Sequence, residues 1–273
     1  MNSTNPVSPK VTIPVFDDLD SLFSSGFGSC REFFFSDNKD WSKVIVMFNG
    51  AVAASQRLNG FGFQRWTWAK QFKHPVIIIA DPATFGDDGL ALGWYVGLRG
   101  SYYLPSALET ILPFIKKRNQ AAEVVTFGSS AGGFTALAAL QLGYADIAIA
   151  INPQTDVEKY TLQSAVRSML RKYSHGDTYV SQPEDRERLS LISMGFDRAK
   201  KSARIIYAQN SADTHHYEEH MTPYLGFVKK SELSDRCISV VFNDEKQGHN
   251  PPPLNGLVNL IGHDIQRLLA SDE

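Results

Sequence analysis

Short unbroken apolar runs punctuate the chain, and each gives way to small or turn-forming residues. Lys43–Phe48 carries Val44, Ile45, Val46, Met47 and Phe48 and ends in Asn49-Gly50-Ala51. Val76–Ala80 leads into Asp81-Pro82, Glu123–Phe127 into a glycine-rich turn, and Ile147–Ile151 into Asn152-Pro153. Arg204–Gln209 and Ile238–Asn243 each run into polar loops, and Arg31–Ser36 reads as a first strand through Phe33, Phe34 and Phe35. A strand with one wet face alternates apolar and polar residues. Continuous runs belong to strands covered on both faces, as in a parallel sheet.

Helical periodicity fills the intervals. Leu108–Lys117 is apolar at Leu108, Ile111, Leu112 and Ile115 and ends in Lys116-Lys117-Arg118, which suits the negative end of a helix dipole. Ser106 and Glu109 are spaced for a capping box, and Pro113 predicts a kink. The run after Gly133 is apolar almost all round, which predicts a buried helix. Leu254–Leu269 forms a closing helix, apolar at Leu257, Leu260, Ile261, Ile265 and Leu268. Residues 1–29 read as irregular, with a short helix near Asp17–Phe23. Phe61–Trp68 reads as a crossover helix rich in aromatics.

Alternating strands and helices predict an α/β fold, a mostly parallel central sheet flanked by helices with right-handed crossovers. The chain is long enough for one such domain over residues 1–273. Gln154–Lys201 stands apart. It is charged, helix-friendly and without a strong strand, and residues 154–201 are expected to form an inserted helical cap. Arg167 and Arg171 would share one face of it, turned either inward to an anionic part of a substrate or outward to water.

Composition narrows the class. Hydrophobic content of 43% and charged content of 21% are ordinary for a soluble globular protein, and a net charge of −2 gives no bulk attraction to nucleic acid or anionic membranes. No apolar run reaches the about 18 residues of a membrane span. Met1–Pro14 is polar and broken by Pro6, Pro9 and Pro14, with no secretory core. Cys30 and Cys237 lie far apart and make no disulfide framework. A cytoplasmic protein is the expectation, and the sequence leaves its oligomeric state open.

The chemistry centres on Val124–Phe134. An apolar, β-branched strand meets Gly128-x-Ser130-x-Gly132 and then a helix, the pattern of a nucleophile elbow. Glycine suits the positions two before and two after the serine, because a Cβ there meets neighbouring chain. Ser129 lacks that frame, since residue 127 is phenylalanine. The elbow order is serine, acid, histidine, with the partners just past strand ends. Asp213 is the first carboxylate after Arg204–Gln209, and His249 lies in the loop after Ile238–Asn243, ahead of Pro251-Pro252-Pro253. Asp244, His74 and His263 are weaker rivals by position. The oxyanion hole is expected from the amide of Ala131 and from a second amide after Lys43–Phe48, Ala51 or alternatively Gly50.

For a substrate cleft, Arg65, Trp66 and Trp94 are the candidates, although the aromatic stretches suit core packing as well. His215-His216-Tyr217-Glu218-Glu219-His220 puts His216 and His220 four apart, which would suit zinc. No third ligand is evident, so no metal is expected, and His216 is assigned to flank the catalytic acid or the cleft.

Four motifs, Phe48–Ala51, Phe127–Gly133, Gln209–His216 and Gly248–Pro253, carry a resemblance to the α/β-hydrolase superfamily over most of the chain. They also resemble, more loosely, the branch with bacterial capsular-polysaccharide O-acetyltransferases and related hydrolases. Asn49-Gly50-Ala51 departs from the HGGG run of lipase-type members. The resemblance implies ester hydrolysis, or acetyl transfer to a carbohydrate hydroxyl, on a small ester or glycan. It implies no tightly bound cofactor, with acetyl-CoA as acyl donor if the enzyme is a transferase. The alternatives are a non-catalytic binding protein on the same fold and a metal-dependent hydrolase built on His216 and His220.

Overall fold

The computed structural model describes residues 12–55, 61–86, 88–179 and 181–268. The first eleven residues of the proline-broken N-terminus and the last residue of the expected closing helix, Leu269, lie outside the described residues.

The apolar runs become a single eight-stranded sheet. Its strands are β1 (Phe27–Cys30), β2 (Phe33–Ser36), β3 (Lys43–Phe48), β4 (Val76–Ile79), β5 (Glu123–Ser129), β6 (Ile147–Ile151), β7 (Arg204–Asn210) and β8 (Cys237–Phe242). They lie in the order β1-β2-β4-β3-β5-β6-β7-β8. The pairs β1–β2 and β2–β4 are antiparallel, and every pairing from β4 to β8 is parallel. Strand β3 shows why its sequence is continuous rather than alternating. Val44, Val46 and Phe48 enter one core, while Ile45 and Met47 enter a second core on the other face.

Strand β1 was not expected. Its Phe-Gly-Ser-Cys sequence lacks a β-branched run, yet Gly28 is needed because a Cβ there would meet the Phe16 ring and the Pro14 carbonyl. The helix expected over Leu108–Lys117 begins earlier and spans Tyr103–Arg118. Ser106 therefore lies inside it, its hydroxyl donating to the Tyr102 carbonyl at 3.2 Å, and the expected capping box does not form. The helix runs through Pro113, which is exposed, so the carbonyl it leaves unpaired faces water. The crossover expected at Phe61–Trp68 is a short 3-10 helix, Trp66–Gln71. The closing helix is divided at Gly262, where φ is +64° and a left-handed turn suits glycine.

The helix after β5, Ala131–Gln141, is buried along its whole length. It is held against the sheet by glycines. A Cβ on Gly128 would overlap the Gly132 carbonyl, and one on Gly132 would overlap the Phe48 carbonyl. Gly128→Ala and Gly132→Ala are therefore expected to destabilise the protein by about 3 kcal/mol or more, since backbone cannot step aside as a side chain can. Gly226 lies in the helix Thr222–Val228 with open space around it, so Gly226→Ala should stabilise by roughly 0.5–1 kcal/mol. Denaturant melts of the three variants check both signs; a neutral Gly128→Ala would contradict the packing.

Residues 154–201 contribute helices Gln163–Tyr173, Pro183–Leu189 and Leu191–Met194 and, among the described residues, no strand. Val166, Met169, Leu170 and Tyr173 are buried in the first core, while Arg167 and Arg171 face solvent. Of the two orientations open for that arginine pair, the structure takes the outward one. Arg186 is used locally, pairing with Asp156 and Glu158.

Candidate active site

The registers align the carboxyl ends of the central strands: Phe48 lies beside Gly128, Ser129 beside Ile151, and Asn210 beside Phe242. The turn after β3, the elbow after β5, Asn152 after β6, Asp213 after β7 and the loop after β8 thus converge on one edge.

Ser130 sits between β5 and its helix at φ +56°, ψ −123°. This strained conformation costs about 1–3 kcal/mol and persists only because the surroundings fix it. Its Oγ lies 2.9 Å from Nε2 of His249, and Nδ1 of His249 lies 2.6 Å from Oδ2 of Asp213. Ser129 points elsewhere: it is buried, and its Oγ accepts from the Arg65 guanidinium at 2.6 Å. The rivals are used otherwise. Asp244 caps its own turn through the amides of Lys246 and Gln247. His74 is buried at the opposite end of the sheet, its Nδ1 on the Asp40 carbonyl. His263 begins the short helix after Gly262 and is exposed.

A residue unforeseen from sequence, Gln154, joins this chain into a ring. The Trp94 indole N–H can only donate, so the Gln154 oxygen that meets it at 3.2 Å fixes the amide's orientation. The Gln154 amide nitrogen then donates to Ser130 Oγ at 2.9 Å and to His216 Nε2 at 3.1 Å. His216 in turn presents Nδ1–H to Oδ1 of Asp213 at 3.0 Å. Each hydrogen has one place. Ser130 donates to His249, both imidazoles donate through Nδ1 to one carboxylate, and both Nε2 atoms accept.

Electrostatics agree with this assignment. Burial alone would raise the Asp213 pKa, but hydrogen bonds from His216 and His249 outweigh it and hold the carboxyl well below the usual range. Burial pushes the His216 pKa down against the pull of Asp213, and burial with its histidine neighbours takes His220 down to about 3. His220 sits behind the ring, its Nδ1 accepting from the Thr155 amide. Both histidines are favoured neutral in the fold and titrate near 6.5 when unfolded. The unfolded chain therefore binds more protons below that value, and stability falls as pH drops. Each such group contributes up to about 1.4 kcal/mol per pH unit. Asp213 adds to the same trend only below its ordinary 3.8. Thermal unfolding from pH 7.5 to 4.5 is expected to show this loss, and His220→Gln should flatten it; a flat profile in the parent would contradict it.

Beside the ring opens a cleft of about 510 Å³, lined by Gly50, Ala51, Gln64, Arg65, Trp68 and Tyr160 and walled by Pro251, Pro252 and Pro253. Of the two candidate amides after β3, Gly50 N–H already donates to the Gln64 side chain at 2.8 Å. Ala51 N–H has no acceptor among the described residues. Ala131 opens its helix, where the first amides lack intrahelical partners. Arg65 lines the cleft as expected, but neither expected aromatic does. Trp66 packs on the Phe34 ring in the second core, and Trp68 takes its place in the cleft. Trp94 is buried behind Gln154. His216 is likewise buried, behind Asp213 rather than at the cleft surface.

Two asparagines, also unforeseen as site residues, hold the loops. Asn152 spans the gap from the Asn210 amide at 2.8 Å to the His249 carbonyl at 3.1 Å. Asn210 donates to the carbonyls of Asp244 and Gly248 at 2.7 and 2.8 Å. The available signal was a buried-strand end finishing in asparagine, in Asn152-Pro153 and in Gln209-Asn210. For a metal, the one close group of three ligand-type residues among the described residues is Asp213, His216 and His249. It does not include His220, the second member of the His216/His220 pair weighed from the sequence.

No family model matches the chain, and no curated protein matches it by sequence. Solved structures do resemble it. The capsule O-acetyltransferase of Neisseria meningitidis serogroup A is 16% identical, with 86% of this chain and 90% of that one covered at a TM-score of 0.59. A mutant of that enzyme in complex with CoA covers 78% and 83%, at 16% identity and a TM-score of 0.54. An S-formylglutathione hydrolase from Agrobacterium tumefaciens is 16% identical over 80% and 82%, with a TM-score of 0.53. The sheet order, the strained serine turn between β5 and its helix, and these likenesses together give the chain the α/β-hydrolase fold.

Proposed function

We propose that the protein is a serine-dependent acyl-transfer enzyme, acting by ester hydrolysis or by O-acetyl transfer to a carbohydrate hydroxyl. The observation that carries this reading is the hydrogen-bonded line from Ser130 Oγ through His249 to Asp213, on a strained elbow that opens into a cleft. Ser130 Oγ attacks the acyl carbonyl while His249 Nε2 takes its proton. Asp213 holds the Nδ1–H tautomer and stabilises the imidazolium. The amides of Ala131 and Ala51 receive the oxyanion, with Gly50 engaged by Gln64. His249 then protonates the leaving alcohol or thiol, the acyl–oxygen or acyl–sulfur bond breaks, and the acyl group stays on Ser130. Water or an acceptor hydroxyl, deprotonated by His249, attacks the acyl-enzyme and releases Ser130. Gln154 and His216 act as positioning residues, keeping Ser130 and Asp213 in register.

Residues 154–201 act in this reading as a cap on the carboxyl edge, since Tyr160 reaches the cleft wall and Gln154 the serine. Acetyl-CoA is the proposed donor if the reaction is a transfer. The test is incubation with p-nitrophenyl acetate, and with acetyl-CoA plus candidate glycans, followed by mass spectrometry. Free acetate from either donor supports hydrolysis, and a glycan heavier by one acetyl supports transfer. No turnover of any ester or thioester would sink the proposal.

A further inference from the structure

Among the described residues, Arg65 is the one arginine or lysine lining the cleft, and no aspartate or glutamate lines it. Three other partly buried arginines are neutralised, Arg99 by Asp185, Arg186 by Asp156 and Glu158, and Arg204 by Asp264, while Arg188, which lies outside the cleft, donates to the Leu98 carbonyl. Arg65 has no carboxylate within ion-pairing distance among the described residues. Of its five N–H donors, one is used within the described protein, on Ser129 Oγ beside the nucleophile. Its guanidinium carbon lies 5.5 Å from the centroid of Trp68 and 5.7 Å from that of Phe127, so the cation rests against a pair of touching rings. Burial lowers its pKa to about 10, which leaves it cationic at neutral pH.

A desolvated cation without a counter-charge is expensive, and a methionine would pack against the same two rings without that cost. The arrangement is explained if the counter-charge arrives with the ligand. The free donors of a guanidinium form a fork that matches two oxygens of one oxyanion. We propose that Arg65 is a subsite for an oxyanion group, carboxylate or phosphate, carried by the substrate next to its reacting ester; this rests on the acyl-transfer reading of the same cleft. The rings hold the fork in place, and Ser129 fixes its distance from Ser130.

The test uses three ligands that cannot be turned over: benzoate, phenyl phosphate and the uncharged benzamide. Their affinities for the full chain are measured at low ionic strength by ligand-observed NMR or calorimetry. At least one anion is expected to bind about 10-fold or more tightly than benzamide. Arg65→Met should erase that preference and Arg65→Lys should keep part of it. If Arg65→Met does not fold, Arg65→Gln carries the same comparison. A tighter benzoate assigns the subsite to carboxylate, and a tighter phenyl phosphate assigns it to phosphate. Equal binding of all three, or a preference that survives loss of Arg65, overturns the inference. Fluorophosphonate labelling of Ser130 keeps the two readings apart. Labelling without anion preference removes the subsite alone, and anion preference without labelling removes the acyl-transfer reading and keeps the subsite.

Discussion

Ser130→Ala is expected to abolish turnover, with a loss on the order of 10⁴–10⁶ in rate, the usual effect of removing a triad nucleophile. Ser129→Ala is expected to retain a substantial part of the activity. The two hydroxyls are neighbours in sequence and differ in everything else. Ser130 takes the strained conformation at φ +56°, and its Oγ meets both His249 and the Gln154 amide at 2.9 Å. Ser129 ends β5, is buried, and accepts one hydrogen bond from Arg65. Its loss frees the Arg65 fork, which should lower the rate by less than about tenfold, as for one neutral acceptor. Steady-state hydrolysis of p-nitrophenyl acetate by both variants is the measurement. A dead Ser129→Ala beside an active Ser130→Ala would place the nucleophile one residue earlier.

Asp213→Asn should lower kcat by roughly 10⁴-fold, the size expected when a triad histidine is held in the wrong tautomer. The ring makes this variant worse placed than an ordinary acid-to-amide change. Asp213 accepts on both oxygens, from His249 at 2.6 Å and from His216 at 3.0 Å. An asparagine has one oxygen to offer. If that oxygen serves His249, the amide N–H confronts the N–H of His216. His216 must then change tautomer and turn an N–H toward Gln154, whose own amide also donates. Rotating Gln154 would relieve this only by abandoning the Trp94 indole. Either way the serine loses a partner or the histidine its tautomer. Asp244→Asn is the control, because Asp244 caps its own turn. Near-normal kcat in Asp213→Asn, with loss in Asp244→Asn, would move the acid to the other strand end.

The sequence made the sheet legible because its central strands are covered on both faces. Val44–Phe48 and Val76–Ile79 could hardly be anything else once their apolar runs were unbroken. β1 was invisible for the complementary reason, being short, glycine-containing and paired only with β2 in the sheet. The elbow was legible because two glycines are a steric requirement, met here by the Gly132 and Phe48 carbonyls. Asp213 and His249 followed from strand-end logic, and the structure sets His249 between Asp213 and Ser130. Gln154 was not legible. Nothing local marks a glutamine after a proline as the closing link of a ring whose other members lie in three other segments of the chain. Trp66 and Trp68 show the limit of an aromatic cluster: the two rings are two residues apart, and composition does not say that Trp66 packs on Phe34 while Trp68 lines the cleft.

The central claim is that Ser130 is an activated nucleophile, and labelling with a fluorophosphonate tests it most directly. The probe needs no knowledge of the natural substrate, only a serine Oγ whose proton a neighbouring base removes. Intact-mass and peptide mass spectrometry at pH 7.5 should show a single adduct, located on Ser130, absent from Ser130→Ala and strongly slowed in Asp213→Asn. An unlabelled protein, or an adduct on another residue with Ser130 untouched, would contradict the account.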